Sequence, residues 1–172
     1  MNTAKIERLL VNQHSFQGVY SLDTLPKSPR LLVCNTDPSW KPGEHWIAIY
    51  VDKNRRGEYF DSFGRPPNKH FERYMNSMCS SWTFNKKRLQ SRISSFCGYY
   101  CCLFVVLRAR GFGMSKIVRL FTIDTGYNDW LVHRFVCNKS WNYSRLCCCL
   151  YWIITNKYIS HIHKIYWNEK LH

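Results

Sequence analysis

The chain has 172 residues, 45% of them apolar and 21% charged, which is the composition of one globular domain with a real core and excludes a disordered tail. Its formal net charge of +14 favours anionic partners such as nucleic acid or an acidic surface. The nine cysteines are odd in number, partly adjacent and irregularly spaced, a pattern that argues against a secreted disulfide framework.

Taken in chain order, the apolar spacing predicts an α+β arrangement. Residues 4–11 have a short helical period and residues 30–35 read as a strand. Two more strands, 46–51 and 58–61, flank the turn-rich Asp52-Lys53-Asn54-Arg55-Arg56-Gly57, so a β-hairpin is expected that brings His45 near Asp61. After Pro66-Pro67, residues 68–78 suit a helix with Asn68 as its cap, and 81–85 a further strand. A long apolar run from Cys97 to Arg110 stops at Gly111 and predicts a helix with Cys97 in its first turn. Helical spacing returns at 116–121 and 128–136. Beyond Val136 the character changes to Cys137-Asn138-Lys139-Ser140-Trp141, the triplet Cys147-Cys148-Cys149 and a histidine-rich aromatic end. The expected division is therefore a domain over 1–136 and an atypical tail over 137–172, unstructured or read through from beyond the true coding end. The tail's apolar run is shorter than the roughly 20 residues that span a bilayer. No Cys-x-x-Cys pair has a matching partner pair, so no metal site is expected. The first residues lack an apolar leader, and the expected setting is intracellular and reducing, whether nucleus, cytoplasm or virion.

Four polar residues fall in contexts that suit thiol chemistry. A cysteine thiol is a weak nucleophile at neutral pH until an imidazolium or a helix N-terminus favours the thiolate. Cys97 is expected to have both, with His45 as general base and acid and Asp61 fixing the imidazole's tautomer and orientation. Gln90 offers an amide donor for the oxyanion of a tetrahedral intermediate, beside a backbone N–H near Cys97. Each residue alone has an ordinary structural reading: a histidine beside tryptophan, an aspartate capping a turn, one of several buried helix cysteines, an uninformative glutamine. Their joint order is what selects the catalytic reading.

The motifs Gly43-Glu44-His45-Trp46, Tyr59-Phe60-Asp61-Ser62-Phe63-Gly64 and Gln90 through Cys97-Gly98 resemble the adenovirus-type, adenain-like cysteine proteases, and by pattern those of Maverick/Polinton elements. Phe16-Gln17-Gly18-Val19-Tyr20 and Asn35-Thr36-Asp37 resemble an earlier block of the same group, so the likeness covers Phe16 to Phe135. SUMO proteases share the order His, acid, Gln, Cys more distantly. The Gln90-to-Cys97 interval is adenain's, whereas an aspartate at position 61 is the acid of SUMO proteases and many Polinton enzymes.

The resemblance implies a small mixed sheet carrying His45 and Asp61, packed on a central helix whose N-terminus carries Cys97. It implies a monomeric endopeptidase cleaving polypeptides at glycine-containing motifs, with viral or transposon capsid precursors as substrates. The alternatives are an isopeptidase for ubiquitin-like modifiers and a decayed copy that only binds. Trp46 would wall a cleft admitting only glycine near the scissile bond, or else serve as a core tryptophan. No cofactor is required for the chemistry. Adenain is stimulated by DNA, so Lys86, Lys87, Arg88 and Arg92 are the expected contacts for sequence-independent DNA binding, with DNA as an activator; plain solvated charge is the other reading of those residues.

Overall fold

The structure is a computed structural model that describes residues 1–137. The chain divides into two units, Met1–Val136 and Cys137–His172, and the expectations for the cysteine triplet and the aromatic end lie outside the described residues.

Ten elements follow one another: α1 (Thr3–Leu10), β1 (Phe16–Ser21), β2 (Leu31–Asn35), β3 (Trp46–Val51), β4 (Arg56–Phe60), α2 (Lys69–Met78), β5 (Ser81–Phe84), α3 (Cys97–Ala109), α4 (Met114–Arg119) and α5 (Thr125–Cys137). The strands form one mixed sheet in the order β1-β2-β3-β4-β5. The inner pairs β2/β3 and β3/β4 are antiparallel, while each edge strand joins in parallel.

All five residues of β2 are buried, and so are all of β3 except Tyr50, because helices cover both faces of the sheet. A strand buried on both sides reads as a continuous apolar run, which is what Leu31-Leu32-Val33-Cys34 and Trp46-Ile47-Ala48-Ile49 are. On one face Leu32, Cys34, Ile47, Ile49 and Tyr59 form a cluster with Phe71 and Met75 of α2. On the other face α3 lies against β2 and β3, and Phe60 of β4 stacks on Phe104 of α3 with ring centroids 4.6 Å apart.

Helix α3 is buried along almost its whole length, so tertiary burial rather than an amphipathic stripe fixes it, at roughly 1.5–3 kcal/mol for each large side chain removed from water. Its C-terminal end is pinned by Arg108, which pairs with Glu58 at 2.8 Å and lies 3.8 Å from the Tyr50 ring centroid. It terminates where Gly111 takes φ +85° and Phe112 N–H returns to the Leu107 carbonyl, a left-handed stop open to glycine. The helix that bears Cys97 is thus anchored at its far end and along its side against the inner strands β2 and β3.

The strand at 16–21 has no counterpart among the elements that apolar spacing predicts. Its burial does not alternate, Gly18 sits at φ +139° and the pairing shifts register between Phe16 and Gly18; a bulged edge strand carries little period-two signal. The helices expected at 116–121 and 128–136 begin earlier, at Met114 and Thr125. Glycine at Gly113 and the polar turn through Asp124 open these helices, and neither carries the apolar periodicity that sequence reading follows. Residue 85 leaves the expected strand because the Asn85 side chain is engaged with the Asp61 backbone.

Candidate active site

His45 is the residue before β3 and Asp61 the residue after β4. The hairpin register pairs Ala48 with Phe60, so the two side chains emerge at the same end of adjacent strands. The imidazole Nε2 lies 2.9 Å from Asp61 Oδ1. Asp61 is itself held from several sides: Oδ1 also accepts the Phe63 N–H at 2.8 Å, its own N–H donates to Asn85 Oδ1, and its carbonyl accepts from Asn85 Nδ2 and Gly64 N–H. With Nε2 committed to Asp61, Nδ1 is the ring nitrogen left for the thiol, and Cys97 and His45 are near enough for each to shift the other's titration.

The electrostatics follow from this chain of three. Burial alone would push the imidazole down; the hydrogen bonds and charges of Asp61 and Cys97 outweigh it and raise His45 to about 9. Burial alone would push the Cys97 thiol up; the hydrogen bond and charge of His45, with backbone N–H groups of Trp46 and Gly98, outweigh it and lower the thiol below its ordinary value. No side chain caps α3 at Phe96, so the helix's open N–H groups add to the positive environment of the sulfur. The two shifts run in the directions that favour an imidazolium beside a thiolate. The neighbouring thiols behave otherwise: burial raises Cys34, Cys79 and Cys101, and pushes Cys102 up to about 12. Cys101 and Cys102, the other candidate thiols on α3, are fully buried and pack in the core.

Gln90 has no exposed surface. Its Oε1 accepts the Ser62 hydroxyl at 2.7 Å and its Nε2 donates to the Ser94 carbonyl at 2.7 Å. One amide hydrogen is therefore spent and one is left for another acceptor. The backbone N–H groups of Leu89 and Gln90 both donate to the Ser62 carbonyl, so the segment leading to Cys97 is laced to the residue that follows Asp61. Gly64 makes that approach feasible: at φ +68°, a Cβ there would lie 2.6 Å from the Lys87 carbonyl carbon.

Trp46 is buried to 8% exposure, and its indole Nε1 donates to the Met1 carbonyl at 3.0 Å. A Cβ at Gly98 would lie 3.1 Å from Met1 Cβ and 3.4 Å from Trp46 Cδ1. Met1 and Trp46 therefore pack directly on Gly98 and leave little room for a side chain at that position. Of the basic residues singled out by sequence, Lys86, Arg88 and Arg92 are exposed, whereas Lys87 Nζ donates to the Phe121 carbonyl at 2.6 Å. The structure thus groups His45, Asp61 and Cys97, and sets Lys87 apart from its basic neighbours. Sequence reading misses Ser62, Asn85, Ser94 and Met1; Ser62 and Ser94 lie inside motifs, Tyr59 to Gly64 and Gln90 to Gly98, that the sequence alone singles out.

Among the described residues no helix is long and apolar enough to cross a membrane. A cavity of about 320 Å³ by β4 and β5 is lined by Asp52, Glu58, Trp82 and Arg108, and its lining includes none of His45, Asp61, Gln90 and Cys97.

No family model matches the chain. It is similar to the "Putative thiol protease R355" of Acanthamoeba polyphaga mimivirus, with 30% identity over 97 residues, which is 50% of this chain and 32% of that protein. The chain therefore spans about a third of the length of that curated relative. The crystal structure of the ASFV pS273R protease shares the fold: 18% identity, TM-score 0.55, covering 77% of this chain and 66% of that one. ChlaDub1 from Chlamydia trachomatis overlaps less well, with 19% identity and TM-score 0.46 over 63% of this chain and 49% of its own. The mimiviral likeness is one of sequence over part of that protein, and the pS273R likeness is one of fold.

Proposed function

We propose that the chain is a cysteine endopeptidase of adenain-like kind acting through Cys97, His45, Asp61 and Gln90. The observation that carries the reading is His45 held between Asp61 and Cys97, with the imidazole raised and the thiol lowered. The Cys97 thiolate attacks the scissile carbonyl carbon, forming the C–S bond while the carbonyl electrons move to oxygen. The free N–H of the Gln90 amide and a backbone N–H at the start of α3 receive the oxyanion. His45 passes its proton to the departing amine as the C–N bond breaks, leaving a thioester. His45, now neutral, takes a proton from water, which adds to the thioester and releases Cys97.

Trp46, the residue after His45, is read from the adenain-like resemblance as a wall of the cleft that favours glycine beside the scissile bond. Likeness to a viral protein extends the reading to processing of viral or transposon capsid precursors. The testing reagent is a peptide vinyl sulfone ending in Gly-Gly, applied to the full chain with the modified residue mapped by mass spectrometry. Modification at Cys97 that disappears in His45→Ala is expected. Modification at Cys101 or Cys102, or none in the folded chain, overturns the assignment.

A further inference from the structure

We propose that Tyr100, Asn128 and Asp129 form a buried clamp that fixes the backbone around Gln90 for oxyanion binding, which makes them positioning residues of the reaction. The inference rests on the peptidase reading above and assigns a task to a polar network that this reading leaves unused.

The Leu89 carbonyl, one residue before Gln90, accepts from Asn128 Nδ2 at 3.0 Å and lies 3.0 Å from the Tyr100 hydroxyl, whose single proton is shared between this carbonyl and Asp129 Oδ1. Asp129 Oδ1 accepts from the same hydroxyl at 2.9 Å and from the Ser91 N–H at 3.4 Å, one residue after Gln90. The N–H groups of Leu89 and Gln90 go the other way, to the Ser62 carbonyl at 2.8 and 3.0 Å. Gln90 is thus flanked by hydrogen bonds from the Asp61–Gly64 turn on one side and from α3 and α5 on the other.

Three features favour a positioning task over simple packing. Tyr100 and Asn128 are fully buried and Asp129 is 5% exposed, and burying hydroxyl, amide and carboxylate groups costs free energy that apolar side chains of like volume would not. The groups converge on the peptide units either side of Gln90, although Asn128 also closes the turn before α5 through Thr122. Tyr100 lies one turn along α3 from Cys97, so the same helix that presents the sulfur also carries a hydroxyl that locates the oxyanion donor. An oxyanion donor has to sit within a few tenths of an ångström of its working position, and Gln90 lies on an irregular segment that has no sheet ladder to hold it.

The test uses the full chain with Tyr100→Phe, and Asn128→Ala as the second variant should the first fail to fold. A peptide aldehyde ending in Gly-Gly adds to the thiolate and creates an oxyanion; iodoacetamide alkylates the same sulfur without one. In either variant the aldehyde's inhibition constant is expected to rise by about 10-fold, a fraction of what loss of an oxyanion donor costs, while the alkylation rate of Cys97 stays within about 2-fold, because the thiolate–imidazolium pair is untouched. Backbone hydrogen exchange at Leu89 and Gln90 should quicken. Combined with Gln90→Ala, Tyr100→Phe should add nothing further, since both act through one group. Additive losses, an equal fall in alkylation or unchanged exchange at these amides overturns the clamp. Failure of the peptidase reading shows instead in the unmodified chain, as a Cys97 that alkylates no faster than an ordinary thiol and ignores the aldehyde.

Discussion

Replacing Asp61 tests the proposed division of labour most directly. Asp61 Oδ1 accepts from His45 Nε2 at 2.9 Å, and the imidazole is 15% exposed, so solvent screens this pair weakly. A hydrogen bond to a charged group is worth about 1.5–3 kcal/mol and a neutral one about 0.5–1.5 kcal/mol. Asp61→Asn keeps an oxygen able to accept from Nε2 but removes the charge, a loss of about 1–1.5 kcal/mol, or about one pKa unit at 1.36 kcal/mol per unit. Asp61→Ala removes the bond as well, about one to two units on the same scale. The sign follows from which form the carboxylate favours. Removing an anion disfavours the imidazolium, so the His45 value falls from about 9; a less readily protonated imidazole stabilises the thiolate less, so the Cys97 value rises. The pH range holding the ion pair should therefore narrow from both sides. Folding stability should follow the same rule: a raised histidine contributes stability that is complete below its unfolded value and is lost as pH rises through about 9. The assay is an NMR titration of the His45 ring, identified by its loss in His45→Ala, beside the pH profile of Cys97 alkylation. An alkaline titration that stays near 9 in Asp61→Ala would refute the claim that this carboxylate sets the imidazole's charge.

Three further outcomes are expected. Gly64→Ala forces a side chain into a φ of +68° and to within 2.6 Å of the Lys87 backbone, so the 61–64 turn and the 87–90 segment must part; stability by urea denaturation should fall by more than the roughly 1 kcal/mol of an ordinary glycine replacement, and a smaller change would show that the two backbones are not tightly apposed. Phe104→Ala empties the site stacked on Phe60 and should cost about 3–5 kcal/mol, read as a lower midpoint at unchanged slope; a loss under about 1 kcal/mol would mean that α3 is not seated there. Neutralising the exposed Lys86, Arg88 and Arg92 together should weaken DNA association and flatten its salt dependence, by about 0.9 in slope for each phosphate that is no longer neutralised, whereas Lys87→Gln should act mainly on stability because its ammonium is bonded to the Phe121 carbonyl; an unchanged slope in the triple variant removes these residues from any nucleic-acid surface.

The parts of the fold and site that sequence reading can reach share a physical property. The central strands β2 and β3 are legible because burial on both faces leaves an unbroken apolar run, and α3 because its run ends at a glycine that takes positive φ. β1 is not, since an edge strand with a bulge and partial burial needs neither alternation nor a continuous apolar run. The same contrast separates the candidate chemical groups from those that hold them. His45, Asp61 and Cys97 stand out because nucleophile, base and acid each demand a particular functional group at a strand or helix end. Ser62, Asn85, Tyr100, Asn128 and Asp129 do their work on backbone carbonyls and amides, which any residue supplies, so nothing in the partner's identity signals the pairing. Met1 against Trp46 is the extreme case, a main-chain carbonyl meeting an indole 45 residues further along the chain. A group that acts on substrate is specified by its chemistry and can be read from type and order; a group that positions it is specified by where two distant segments meet. That is why substitution of the buried polar residues around Gln90, rather than of Cys97 itself, is the sharper test of whether the folded chain was built to perform the reaction.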